Sequence, residues 1–345
     1  MPVRLGGAGL NASDLYLMPG NWRFTSGLRY QRATKLFRET QEARDLPSGR
    51  RTQTILELGG QYAINRQETV AVQVPLVDFH FGFGRAASPE HLDSTSATGL
   101  GDITLFYRRW INPVPYFRDS SPSWRKNLSF GFGVKLPTGN SNAKDEYTNG
   151  AGVNRRPRAV DISSQPGDGG LGFVLEFQGF QSVGQSTLFV AAAYLVNPRE
   201  MNDTLSLRAN LRGPANTPRD ARFNSVPDQY YATVGISRAV RQARGLTASL
   251  AGKVTGTPPR DLIGGSDGYR FAGHAVSVDP GLTYTRGNDS WSVSIPITVY
   301  RFAADVEAVP LRDWTTFAPF QLNITYSHRF GQTNRATSST KRHVR

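Results

Sequence analysis

The chain has no cysteine, only three methionines, and 27 acidic side chains against 40 lysines and arginines in 345 residues. Without a thiol, disulfide staples are excluded, and a passage through an oxidising compartment carries no risk of stray pairing. Also missing is any run of some 18 apolar residues, so a membrane-crossing helix is excluded. Hydrophobic residues make up 38% of the chain and mean hydropathy is -0.41, values a membrane protein tolerates only if half of each crossing segment faces water. No stretch of composition reads as a linker, and strands do not alternate with helical patterns, which leaves one continuous domain. The opening MPVRLGGAGLNASDLYLMPG lacks the apolar core and small-residue cleavage site of a secretory leader. For an exported protein, the expectation is that the true start lies upstream.

What the chain does have is a segment that recurs to its end: about ten residues alternating apolar with polar or tiny, then a turn. In WSVSIPITVYR, Trp291, Val293, Ile295, Ile297 and Val299 fall on one face, and Ser292, Ser294, Pro296, Thr298 and Tyr300 on the other. A strand has a side-chain period of two, so such a segment has one oily and one wet face. Segments of roughly 9 to 11 residues suffice to cross a bilayer at a tilt, with the oily face turned out to lipid. The pattern therefore predicts an all-β fold: a single antiparallel transmembrane β-barrel of about 12 strands, with short periplasmic turns and long outer loops. Strands are expected near Trp22–Thr34, Thr54–Ile64, Val70–Leu76, Ile103–Tyr107, Leu128–Leu136, Phe173–Phe177, Leu188–Tyr194, Tyr230–Ile236, Leu246–Val254, Val276–Tyr284, Trp291–Val299 and Phe320–Phe330. Gly82 to Leu100, Thr138 to Leu171 and Asn197 to Asp228 read as loops. The division is a periplasmic segment at 1–20, the barrel at 21–330 and a basic tail at 331–345, whose Arg335, Lys341, Arg342 and Arg345 have no acid beside them and predict a disordered extension.

Trp22, Tyr62, Tyr284, Trp291, Tyr326 and Phe330 fall near lower strand ends, and Tyr194, Tyr230 and Phe320 near upper ends, as two interfacial girdles require. The opposite parity gives Arg29, Glu57, Gln61, Asp102, Arg108, Lys135, Glu176, Gln178, Lys253, Asp279 and Arg329 as candidate lumen-lining residues. Charges of both signs either pair across a lumen and close it or line a wet path, and about twelve strands lie between filled eight-stranded barrels and open 16- to 18-stranded porins. The mostly polar inner face favours the wet path.

Several segments resemble the outer-membrane transporters grouped with the meta-pathway phenol-degradation proteins: GLGDITLFYRRW at Gly99 to Trp110 and GFGVKLPTGN at Gly131 to Asn140 first. GAGLNASDLYLMPGNW at Gly7 to Trp22, VDISSQPGDGG at Val160 to Gly170, SVPDQY at Ser225 to Tyr230, DLIGGSDGYR at Asp261 to Arg270 and DPGLTYTRG at Asp279 to Gly287 extend the likeness over nearly the whole chain. The resemblance implies an outer-membrane barrel that passes small, often apolar or aromatic solutes. Two departures are the missing leader and the polar residues after Phe330, where such barrels end on an aromatic.

Read for chemistry alone, the glycines of GLGD allow a sharp transition into a strand, and no helix follows to make a phosphate site. PTG at Pro137 to Gly139 reads as a strand-ending turn. Asp168 in PGDGG and Asp267 in GGSDG lack the regular spacing of a calcium loop, so no metal or other cofactor is expected. The five histidines, His80, His91, His274, His328 and His343, are scattered, and His274 with Ser277 lies on no recognised motif, so no catalytic residue is assigned. The +13 charge is spread over loops and strand ends without a recognition helix or stacking module, which argues against nucleic acid. Arg155, Arg156 and Arg158 are instead expected to face lipopolysaccharide phosphates.

The expectation is thus an outer-membrane channel or facilitated transporter for a small solute the sequence does not identify. The alternative is a non-conducting structural or surface-interaction barrel plugged by its own charges. The loop from Thr138 to Leu171 is expected to fold into the mouth, its charges pairing with Lys135 and Glu176.

Overall fold

The computed structural model describes residues 16–44, 49–85, 88–115, 125–149, 151–304 and 314–331. Twelve antiparallel strands close into a barrel: β1 (Trp22–Ala33), β2 (Gly49–Ala63), β3 (Glu68–Arg85), β4 in two pieces (Ser88–Leu100 and Thr104–Trp110), β5 (Lys126–Lys135), β6 (Gly172–Val183), β7 (Ser186–Val196), β8 (Gln229–Ala239), β9 (Leu246–Thr257), β10 (Gly273–Arg286), β11 in two pieces (Asp289–Ser294 and Ile297–Ala303) and β12 (Gln321–Phe330). Each pairs with its sequence neighbours, and β12 returns to β1 with Trp22 opposite Phe330 and Gln31 opposite Gln321. Closure removes the exposed strand edge that lipid cannot satisfy.

The alternation read from the sequence sorts the two faces. Ile295 is 40% exposed on the outer wall, whereas Ser294 is 3% exposed and faces inward. Outside, Leu28, Leu56, Leu76, Phe132, Leu175, Val234, Leu250 and Ile324 form the apolar belt. Its lower margin is a run of aromatic contacts, with Trp22 against Tyr62 at 4.6 Å between ring centroids, Tyr284 against Trp291 at 5.9 Å and Trp291 against Tyr326 at 5.6 Å. At the opposite margin Tyr194 stacks on Tyr230 at 6.4 Å. These rings are amphipathic and sit where lipid tails meet headgroups.

Two irregularities correct the strand reading. Between Leu100, opposite Leu76, and Thr104, opposite Gln73, the three residues Gly101, Asp102 and Ile103 face the two residues Val74 and Pro75. This is a bulge, centred where Pro75 has no N–H to give the ladder, and Gly101 N donates to Pro75 O at 2.8 Å. A second register shift sits in β11, where Val276 pairs Tyr300 but Ser277 pairs Thr298. Tyr300 is therefore exposed on the outer wall rather than on the inner face its parity implied, and Arg301 stands 4.8 Å over the Phe37 ring.

The predicted loop at Gly82 to Leu100 is also corrected. It is the upper part of a tall β3–β4 hairpin, paired from Leu76–Leu100 up to Gly84–Leu92. SPEHLDSTSATGL carries no apolar alternation because both faces of this stretch are polar, so periodicity could not reveal it. The long loops are structured as well: a hairpin pairs Lys144–Tyr147 with Arg156–Ala159, and Met201–Leu205 pairs with Phe223–Ser225 around the helix Leu207–Arg212. The expected basic tail at 331–345, apart from Gly331, and residues 1–15 lie outside the described residues.

Candidate functional site: the barrel lumen

Inward side chains divide the lumen into an outer cavity and a packed periplasmic half. The cavity, about 340 Å³, is lined by strand residues that include Arg29, Arg51, Ile55, Glu57, Lys135, Tyr231 and Lys253, and by Ile162, Ser163, Gln165 to Asp168, Thr315 to Ala318 and Phe320 from two outer loops.

Of the lumen candidates, Arg29, Glu57, Asp102, Lys135 and Lys253 line this cavity. Arg29 Nη2 donates to Glu57 Oε1 at 2.8 Å on adjacent strands β1 and β2. Lys135 meets two carboxylates: an ion pair with Asp168, and Asp102 at 3.7 Å. Arg108 and Glu176 lie below, joined by Arg108 Nε to Glu176 Oε2 at 3.0 Å across Gly131. Asp279 is buried on the inner wall. Arg329 sits at the periplasmic rim, where its N–H donates to Asn288 O, and takes no part in lining the cavity.

Three of the sequence motifs converge on one knot that no linear reading could assemble. Asp102, in the β4 bulge, accepts from Gly139 N at 2.9 Å and Asp168 N at 3.1 Å. Thr138 Oγ1 donates to Gly101 O at 3.0 Å and accepts from Ile103 N at 2.9 Å. A Cβ on Gly139 would lie 2.7 Å from Gly167 Cα, so the two backbones touch only because both residues are glycine. GLGD, LPTGN and QPGDGG thus form a clamp that holds the loop ahead of β6 inside the barrel. Burial raises the Asp168 carboxyl, but the Lys135 ammonium against it and the Gly170 N–H reverse this and hold it below the usual carboxylate range.

The part of that loop that enters is Ile162–Asp168, stabilised by a single 3₁₀ turn at Ile162–Ser164 with Asp161 accepting from Ser163 N. The basic residues expected to reach lumen charges lie elsewhere: Arg158 Nη1 donates to Asn210 O, and Arg155 faces Glu146 at 3.9 Å. Glu176, expected to meet the loop, is taken by Arg108. A second clamp joins SVPDQY to DLIGGSDGYR. Arg270 and Asp261 form a bidentate pair, both bonds 2.7 Å and both side chains fully buried. Asp228 accepts from Asn197 N, Leu262 N and Tyr194 Oη and donates its own N–H to Asp261.

Below the cavity two apolar clusters interrupt the mostly polar inner face read from the sequence, beside the Arg108–Glu176 pair and buried polar residues such as Thr69, Ser129 and Thr247. Phe106, Val174, Ala191, Ala193, Leu195 and Tyr231 pack together. Gly133 makes room for this layer, since a Cβ there would lie 2.6 Å from the Phe106 ring. Deeper still, Tyr16 from the segment ahead of β1 enters the barrel and packs edge-on against Trp110 at 5.1 Å and Phe180 at 5.6 Å, with Phe189, Val114 and Ala251 around them. Asn127 Nδ2 donates to the Tyr16 hydroxyl at 2.8 Å and Arg23 Nη2 to the Tyr16 carbonyl at 3.1 Å. Burial pushes that hydroxyl's pKa up to about 12. By sequence this stretch falls in a periplasmic segment at 1–20, because a lone YLM carries no periodicity to mark where it docks.

The sequence matches no described protein family and no curated protein. The fold is similar to the crystal structure of an outer membrane channel from Pseudomonas putida F1, with a TM-score of 0.61 and 13% identity over 95% of this chain and 100% of that one. Matches of lower TM-score include the translocator domain of the autotransporter NalP from Neisseria meningitidis, at 0.43 and 11% identity over 92% of each chain. The Ralstonia pickettii toluene transporter TbuX gives 0.41 and 11% identity over 91% of this chain and 90% of that one. What this chain shares with the Pseudomonas channel is the fold of the barrel.

Proposed function

We propose that this protein is an outer-membrane channel or facilitated transporter for small apolar or aromatic solutes. The observation that carries the reading is the lined cavity inside a lipid-belted barrel. Its volume lies at the lower end of the range of ligand pockets, about 300 to 1,000 Å³, and its wall mixes ring faces with paired charges. The Pseudomonas channel of the same fold is described as an outer membrane channel, and the motif resemblance to the meta-pathway transporters points to the same solute class. The aromatic margins fit an outer membrane, and the excess of basic residues fits lipopolysaccharide phosphate as the neighbour of the outer loops.

The rival reading, a non-conducting barrel, is favoured by the Arg108–Glu176 pair and the two apolar layers that fill the periplasmic half. Single-channel recording on the full chain refolded into planar bilayers decides between them. The transport reading expects small, discrete conductance steps that an aromatic solute interrupts. A silent bilayer despite heat-modifiable, inserted protein favours the plugged barrel.

A further inference from the structure

The four cationic side chains on the cavity wall are not equivalent. Arg29 is neutralised by Glu57, and Lys135 by Asp168 and Asp102. Lys253 stands on β9 among further contacts of its own. Arg51, on the inner face near the outer end of β2, is different: among the described residues no carboxylate lies within ion-pair distance of it. Its Nη2 donates to a backbone carbonyl, Thr316 O, at 2.9 Å, and the residue lines the cavity. The opposing charge that acts on it, Asp161, is fully buried and accepts from Ser163 N and Oγ.

A guanidinium inside a barrel without an anion beside it is costly, and its planar fork matches a carboxylate with two parallel hydrogen bonds. The bond to Thr316 places it next to Phe317, and Phe271, Ile55 and Tyr231 supply further apolar wall in the same cavity. An anion site and ring-binding wall within one volume of about 340 Å³ define a solute with both features.

We propose that Arg51 receives the carboxylate of a one-ring aromatic acid whose ring lies against the Phe317 side of the cavity. This rests on the transport reading above and sharpens it from apolar solutes to amphipathic anions. Arg51 is then a specificity residue: it selects charge, while the aromatic wall selects the ring. A bare inorganic anion would leave the apolar wall unsatisfied, and a neutral aromatic would leave Arg51 unpaired.

The test uses the full chain in detergent and three probes: benzoate, benzyl alcohol (ring without charge) and acetate (charge without ring). Calorimetric titration should show benzoate binding at least about tenfold more tightly than either of the others, the scale of one charge-assisted hydrogen-bonded contact. Arg51→Gln should remove that preference and leave benzyl alcohol unchanged, and Arg51→Lys, which keeps the charge but not the fork, should retain part of it. Equal binding of benzyl alcohol and benzoate to the wild type overturns the proposal without recourse to any variant. So does unchanged benzoate binding by a heat-modifiable, folded Arg51→Gln protein. Conductance of the same preparation separates the two levels: a conducting barrel without benzoate preference sinks only the assignment of Arg51, whereas no conductance and no binding sinks the transport reading with it.

Discussion

The two halves of the lumen are closed by opposite kinds of chemistry. Toward the outside, loops are held by buried charges, each with its partner: Lys135 with Asp168, Arg270 with Asp261, Asp102 with two backbone N–H groups. Toward the periplasm, closure is by packing, with Tyr16, Trp110, Phe180 and Phe189 in contact and few polar atoms among them. Directional contacts fix one geometry and fail abruptly when a partner is removed, because the remaining charge stays buried. Apolar packing fails by degrees and can re-form. The outer half should therefore respond to charge and acid, and the periplasmic half to side-chain volume.

The comparison breaks most sharply at Arg270. Arg270→Ala leaves Asp261 buried without its cation and should cost about 3 to 5 kcal/mol. The denaturant midpoint of the refolded barrel and the protease sensitivity of residues 258–272 check this. If both stay at wild-type values, the second clamp holds nothing. In the packed half, Tyr16→Ala removes two edge-on ring contacts and the Asn127 bond, together about 2 to 4 kcal/mol of local packing. Here the informative readout is ionic conductance, expected to rise. An unchanged current would mean that the Tyr16 layer is not what limits flow.

Acid separates the halves without mutation. The Asp168 carboxyl is held below its unfolded value of about 3.9, so its contribution is complete above that value and is lost as pH falls through the lowered one. Whatever the Lys135–Asp168 pair itself contributes to conductance should thus hold from neutral pH to about 4 and change only in stronger acid. A transition near pH 6 would point to a different group, and the Lys135–Asp168 latch would not be the gate.

The lipid face was legible because water and lipid impose a period of two that survives in WSVSIPITVYR and LSFGFGVKL alike. Both aromatic margins and the inward parity of Arg29, Glu57, Arg108, Lys135 and Glu176 follow from that one rule, while strands run past their alternating stretch, the second from Gly49 and the third to Arg85. What escaped it breaks the period or needs the third dimension. The bulges at Gly101–Ile103 and Val299–Tyr300 shift parity by one residue, and the polar hairpin at Ser88–Leu100 has no oily face. Arg51 lies ahead of the second strand as predicted at Thr54–Ile64, and only the pairing of Arg51 with Phe81 shows that the strand already includes it. The glycines of GLGD read locally as a strand entry and that of PTG as a turn, while PGDGG is weighed only as a calcium loop. Their common purpose, letting Gly139 and Gly167 meet over Asp102, requires residues 37 and 66 positions apart to be brought together.

The smallest expected effect supplies the control for the whole contrast. Arg109 and Glu68 form an ion pair at the periplasmic rim, 3.1 Å apart, with the arginine side chain 60% exposed. By formal charge and distance it resembles the Arg270–Asp261 pair, but Glu68 reaches water and also accepts from Asn65 Nδ2, so removing the guanidinium strands no buried charge. Arg109→Gln should shift stability by no more than about 0.5 kcal/mol, and that shift should vanish in molar salt. The Arg270→Ala loss should persist in the same salt, because ions do not reach a fully buried pair. Denaturation of both variants at low and high salt reads the two effects side by side. If Arg109→Gln costs as much as Arg270→Ala, or if salt removes both losses, then burial is not what gives the outer clamps their strength, and the division of the lumen into a charge-latched and a packed half fails.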